Sequence, residues 1–119
     1  MNDKNEKLKI AIPMVNGCLC MHFGHCVQFA LVDVDLTEKK IIARQDMTPP
    51  AHEPGVLPAW LGKLGVGMIL AGGMGQHAQN LFTEQNIKVM IGLPSETPES
   101  LIKSLFEGAL KSGDNVCDH

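Results

Sequence analysis

The densest chemistry in this chain of 119 residues lies at residues 17–26, GCLCMHFGHC, where Cys18, Cys20, His22, His25 and Cys26 supply five potential metal ligands within nine residues. Three of the four cysteines sit there, and the fourth belongs to a closing Cys117-Asp118-His119. Thiolate and imidazole are the groups that hold zinc, copper and iron–sulfur clusters at neutral pH. Spacing limits the arrangement. In an extended backbone Cys18, Cys20 and His22 share one face, but each two-residue step covers about 6.6 Å. A single ion therefore needs the loop to curl, for which Gly17 and Gly24 provide permissive backbone, whereas a multi-atom cluster relaxes the demand. The spacing matches no standard zinc finger, so it points to a metal without choosing one. Read singly, any of these cysteines is also an ordinary small core hydrophobe. A Cys18–Cys20 disulfide would close too strained a ring.

Three other segments carry candidate groups. Residues 71–78, AGGMGQHA, lie between a strand and a helix and fit G-x-G-x-x-A through Gly73, Gly75 and Ala78. A dinucleotide reading lacks the full βαβαβ half and an acidic ribose partner. Gly72, Gly73, Met74 and Gly75 read better as a turn that frees backbone N–H groups at a helix N-terminus for an anion such as a metal–sulfur cluster. A side chain at Gly73 or Gly75 is then expected to block the approach. The proline-flanked loop at residues 48–55, TPPAHEPG, presents His52 and Glu53, either as a further ligand or as an ordinary surface loop. In the tail, the i,i+2 spacing of Cys117 and His119 lets both side chains face one way, and a second segment would complete a four-ligand shell. His77 reads as a surface residue.

These groups must be positioned by the surrounding elements. Residues 8–13 (LKIAIP), 27–35 (VQFALVDVD) and 40–47 read as strands, the last two as an antiparallel hairpin. The period then changes: Leu57, Trp60, Leu61 and Leu64 recur at helical spacing, with Gly65 as the stop. Residues 66–71 and 87–91 read as buried strands around a helix through Ala78, Leu81 and Phe82. A last helix is expected from the Thr97 cap and Pro98 through Leu110 to a stop at Gly113. The order β-β-β-α-β-α-β-α implies an α/β fold with a ribonuclease H-like mixed sheet. One domain over residues 1–119 is expected, with 1–7, the loops 14–26 and 48–55, and 114–119 flexible.

Composition removes other classes. The net charge is −3 and Arg44 is the only arginine, so the basic stripe that displaces counterions from nucleic acid is missing. No apolar stretch reaches the ~20 residues of a membrane span. The mixed-charge N-terminus lacks the longer apolar segment of a secretory signal, so a cytoplasmic, reducing location is expected.

With these motifs in view the sequence resembles the dinitrogenase iron–molybdenum cofactor biosynthesis family, the NifX and NifB C-terminal-like domains that also include the molybdenum–copper Orange protein. The likeness runs from Lys9 to about Gly113. It rests on His22-Phe23-Gly24-His25, on Val32-Asp33 and above all on Gly72-Gly73-Met74-Gly75. A narrower branch is similar also in HFGHC, PPxHEPGVLPxWL, AGGMGQxAQ and a terminal VCDH, here residues 116–119. The resemblance implies a ribonuclease H-like fold, no catalysis, and the binding or delivery of a metal–sulfur cluster, iron–sulfur or molybdenum-containing. It also implies a P-loop iron–sulfur carrier ATPase as partner. Cys18-x-Cys20 departs from the general family pattern. Because the Orange protein holds its cluster without a cysteine cage, a Cys/His site here would serve a different metal, zinc among them. Two other readings stay open: a regulatory module that senses zinc or iron and docks on an ATPase, and a nuclease on the same scaffold. The nuclease needs paired carboxylates on the sheet to hold two metal ions, and the first strand carries none.

Overall fold

The computed structural model describes residues 6–21, 26–50 and 55–108. The elements are β1 (Lys7–Val15), β2 (Cys18–Leu19), β3 (Gln28–Asp35), β4 (Lys40–Met47), α1 (Val56–Lys63), β5 (Met68–Leu70), α2 (Gln76–Glu84), β6 (Lys88–Met90) and α3 (Pro98–Phe106). The strands form one mixed sheet in the order β4-β3-β1-β5-β6, with β2 paired to β1. β1, β3 and β4 are antiparallel neighbours, whereas β1–β5 and β5–β6 are parallel. The βαβ links through α1 and α2 are what parallel neighbours require.

Period-two alternation splits the core between the two faces of the sheet. Ala11, Phe29, Leu31 and Ile69 point to one side and pack with Leu57 and Leu61 of α1 and Phe82 of α2. Ile10, Ile12, Val32, Val34 and Leu70 point to the other and pack with Leu101 and Ile102 of α3. Each fully buried Leu, Ile or Phe contributes about 1.5–3 kcal/mol, so both layers are substantial. On the first face the Phe29 and Trp60 rings meet edge to face, centroids 5.8 Å apart at 77°, which fastens α1 to the sheet.

Local signals account for the boundaries. Gly65 ends α1 in the left-handed region (φ 87), and the N–H of Val66 donates to the carbonyl of Leu61 at 3.1 Å. Thr97 caps α3 through its hydroxyl, which accepts from the N–H of Ser100 at 3.3 Å, and Pro98 opens the helix. Two expectations are corrected. The segment expected as a loop from residue 14 instead continues β1 to Val15 and turns back as β2, because Asn16 (φ 55) and Gly17 (φ 81) make the two-residue turn that a hairpin favours. The last helix stops at Phe106 rather than near Gly113, because Gly108 takes a left-handed conformation (φ 72) just past its end.

α3 is also tied to the edge strand. Arg44 of β4 donates to Asp46 and to Glu99 in the first turn of α3. The hydrogen bond from Arg44, the largest influence, holds the Glu99 carboxyl below its ordinary 4.5. A depressed carboxyl stabilises the fold above its unfolded pKa, and that contribution is lost as pH falls through the lowered value. Glu99→Gln should therefore flatten the loss of stability on acidification below about pH 4.5. At neutral pH it should cost no more than ~1 kcal/mol, since the pair is largely solvated. Urea midpoints measured from pH 3 to 7 check both.

Candidate metal centre

The pairing pattern brings the chemistry to one end of the sheet. β1, β4, β5 and β6 all run towards it and β3 starts there, so the segments after residues 15, 47, 70 and 90 converge with Cys26. Open α/β sheets take ligands in this position, beyond the carboxyl ends of the strands.

The segment carrying Cys20 is fixed on three sides. The N–H of Cys20 donates to the carbonyl of Pro13 at 2.8 Å, extending the ladder between β2 and β1. On the other edge of β2, the N–H of Leu19 donates to the carbonyl of Glu96 at 2.9 Å, and the Ser95 hydroxyl donates to the carbonyl of Leu19 at 2.8 Å. Head-on, the N–H of Gly73 donates to the carbonyl of Met21 at 2.7 Å. At Gly72 a Cβ would lie 2.8 Å from both the Cα and the carbonyl oxygen of Met21. Gly72 is thus required by a close backbone approach. Cys26 returns on the far side of β1, where the N–H of Val27 donates to the carbonyl of Met14 at 2.8 Å.

Cys20 and Cys26 are buried, 3% and 8% exposed, in the same apolar cluster as Met74, Ala71, Phe29 and Phe82. The Cys26 thiol is pushed up from 9.0 to about 12, first by burial and then by the nearby Cys20 sulfur. Near neutral pH it is therefore a thiol, and a metal that binds it must displace its proton. Two sulfur donors in an apolar setting suit a soft or borderline metal, but they make half of a four-ligand shell. Cys18 is half-buried on β2, and no group of three or more His, Cys, Asp or Glu able to hold a metal exists among the described residues. His22, His25, His52, Cys117 and His119 lie outside the described residues. His22 and His25 belong to the segment joining Met21 to Cys26. His52 belongs to the segment joining β4 to α1, whose anchors Met47 and Leu57 pack on the same cluster as the two cysteines.

The glycine turn also has a use inside the fold. The N–H of Gly73 is taken by Met21 and the carbonyl of Gly72 accepts from the N–H of Gly92, so the turn fastens segments together. At Gly75 an added Cβ meets no atom within 4 Å, so a side chain fits there. The anion-attracting feature lies one step on: α2 begins at Gly75 with no side-chain cap and no acid in its first turn. The Met21–Gly72 contact was not foreseen from sequence, although Asn16-Gly17, read as a hairpin turn, would have directed residues 18–21 back along β1.

Residues 6–108 match the family described as dinitrogenase iron-molybdenum cofactor. The chain belongs to this family. Protein MJ0580 of Methanocaldococcus jannaschii is 32% identical over 115 residues, 91% of this chain and 93% of that protein. The crystal structure of PH0822 resembles this dinitrogenase iron-molybdenum cofactor domain with a TM-score of 0.79 at 26% identity, over 88% of this chain and 94% of that one. The apo form of the orange protein of Desulfovibrio gigas shares the fold, with a TM-score of 0.69 at 22% identity over 94% and 98% of the two chains. Among the described residues no helix is long and apolar enough to cross a membrane.

Two outcomes are expected. Gly72→Ala should destabilise by about 1–3 kcal/mol, because backbone must move to admit the methyl group, whereas Gly75→Ser should stay within about 0.5 kcal/mol, serine being a good cap. Denaturant melts decide between them. Cys26 should also resist iodoacetamide in the folded, metal-free chain at pH 8 and react at least tenfold faster in urea. Equal rates would place its sulfur in solvent.

Proposed function

We propose that this protein binds and carries a metal or metal–sulfur cluster, of the iron–sulfur or iron–molybdenum type, during metallocofactor assembly, on a ribonuclease H-like scaffold. A P-loop ATPase that itself carries iron–sulfur clusters is the proposed partner, by resemblance to the branch sharing HFGHC and the terminal VCDH. The observation that carries the reading is the burial of two sulfur donors, Cys20 and Cys26, in one apolar cluster at the ligand-binding end of the sheet. The family and the apo form recorded for the orange protein support a bound cofactor in this fold.

Cys20 and Cys26 supply soft sulfur, and the segment between them adds His22 and His25. Cys18, His52, Cys117 and His119 are the remaining candidates for a complete shell. The uncapped start of α2 after Gly72, Gly73, Met74 and Gly75 offers N–H groups to the anionic side of a cluster. Uptake releases the proton of each thiol that coordinates, so affinity rises with pH. No catalytic step is assigned. Asp33 is held in an ion pair with Lys9, and Asp35 accepts from the N–H groups of Thr37 and Glu38, so neither carboxylate is arranged for two-metal hydrolysis.

Burial of both thiols also favours a second reading, a closed zinc or iron site in a sensing and docking module, since structural sites keep their ligands from solvent. Anaerobic reconstitution separates the two. The carrier should take up iron with sulfide, or molybdate with sulfide, develop visible absorption, and release the cluster to a chelator or acceptor within minutes. Cys20→Ser and Cys26→Ser should each reduce uptake at least tenfold. Tight, colourless zinc binding without sulfide uptake supports the sensor, and a folded protein that binds no metal excludes both.

A further inference from the structure

β2 is a short strand with an incomplete ladder. In its pairing with β1, Met14 lies opposite Leu19 and Val15 opposite Cys18, which puts Pro13 opposite Cys20 at the next step. The N–H of Cys20 donates to the carbonyl of Pro13 at 2.8 Å. Proline has no N–H with which to return the second bond that such a pair normally exchanges. Alternation turns both backbone groups of Leu19 away from β1. There its N–H donates to the carbonyl of Glu96 at 2.9 Å, and its carbonyl accepts from the Ser95 hydroxyl at 2.8 Å. The outer edge of β2 is thus completed by the segment that leads into α3, and one of the two bonds comes from a side chain.

We propose that Ser95 is the positioning residue of Cys20: by fixing the Leu19–Cys20 peptide, its hydroxyl holds the Cys20 thiol on the face of the sheet that also carries Cys26. This is a property of the metal-free chain; its weight in metal uptake rests on the carrier reading above.

A peptide unit is planar, with its C=O and N–H pointing opposite ways. In the Leu19–Cys20 unit Ser95 grips the C=O and Pro13 takes the N–H, so the plane is held at both ends. Rotation of that plane is what would change φ of Cys20 and swing its Cβ out of the cluster shared with Cys26. The two bonds also reinforce each other, because a carbonyl that accepts makes the N–H of the same unit a stronger donor. Beyond Cys20, the bond from the N–H of Gly73 to the carbonyl of Met21 restrains the chain from the other side. Pro13 and Gly73 act through backbone groups, whereas Ser95 acts through a hydroxyl that substitution removes.

Ser95 is itself anchored. Two residues before it, Leu93 is buried in the cluster beneath α3, and its N–H donates to the carbonyl of Ala71 at 3.2 Å. Two residues after it, Thr97 caps α3. Ser95 is exposed, so water can reach the Leu19 carbonyl once the hydroxyl is gone. What is lost is then a partner of fixed direction, and the expected effect is local and a few-fold in size.

The test is alkylation of the metal-free, full-length protein by iodoacetamide at pH 8, with initial rates at Cys20 and Cys26 read separately by fragmentation mass spectrometry. Ser95→Ala should speed Cys20 by about threefold or more relative to Cys26, and Ser95→Thr, which keeps the hydroxyl, should restore the native ratio. A hydroxyl that only stabilises the fold would change both rates together through global opening. Equal acceleration of the two thiols, no change at either, or a threonine variant that behaves like the alanine one would overturn the proposal. Zinc titration and anaerobic reconstitution with iron and sulfide test the consequence: Ser95→Ala should hold metal about threefold or more weakly than the native chain, and Ser95→Thr should recover it. A Cys20-selective response in a chain that takes up neither metal would support the positioning of Cys20 and remove only the carrier reading.

Discussion

The site depends on one close contact, the backbone of Gly72 against that of residues 20 and 21. β1 offers one edge to β3 along its length, and its other edge is shared by β5 near Ile10 and β2 near Met14. Two segments can follow each other along that edge only if the end of β5 and the end of β2 meet without side chains between them. Gly72 removes the obstruction, and the hydrogen bond from Gly73 to Met21 closes the junction. Once the junction is made, the alternation of a strand sends Leu19 to the α3 face and Cys20 to the α1–α2 face. The junction adds a further anchor to the bonds with Pro13, Glu96 and Ser95 that hold residues 19 and 20 in place.

Much of this was legible in the residues. Period-two runs in 8–13 and 27–35, the helical spacing of Leu57, Trp60, Leu61 and Leu64, and the Thr97-Pro98 start all acted through local rules, and local rules survive folding unchanged. What sequence reading missed has a physical reason in each case. Residues 14–26 were read as a loop with Gly17 as permissive backbone, although Asn16 and Gly17 both favour the left-handed pair that a tight hairpin needs. Gly72 was read as part of an anion-binding turn, and its close approach to Met21 was missed because a contact with residues about fifty positions away leaves no local trace. Gly108 and Gly113 are equally good helix stops by type, and only packing decides that the first is used.

The cysteines illustrate a different limit. As core filler or as ligands, Cys20 and Cys26 would have the same neighbours and the same burial. Small apolar groups keep the metal-free cluster intact, and the same burial raises the Cys26 thiol and favours its protonated form. Coordination asks for the opposite, a deprotonated sulfur. A metal held by Cys26 under the proposed function would have to displace that proton and recover the cost through its own sulfur bond, which would leave affinity sensitive to pH.

This tension would be damaging in a protein with one undivided core, and the two-sided sheet contains it. The α3 face holds Ile10, Ile12, Val32, Val34, Leu70, Leu101 and Ile102 without a cysteine among its buried members. Its packing therefore involves no group whose protonation or ligation could change. The α1–α2 face carries Cys20, Cys26 and Met74 alongside its aromatic pair, so changes in protonation or ligation are felt there first. Communication between the faces passes through β1, where Pro13 accepts from Cys20 while its neighbours Ile12 and Met14 pack beneath α3. Displacement of Cys20 is therefore resisted by a strand that is itself packed from behind.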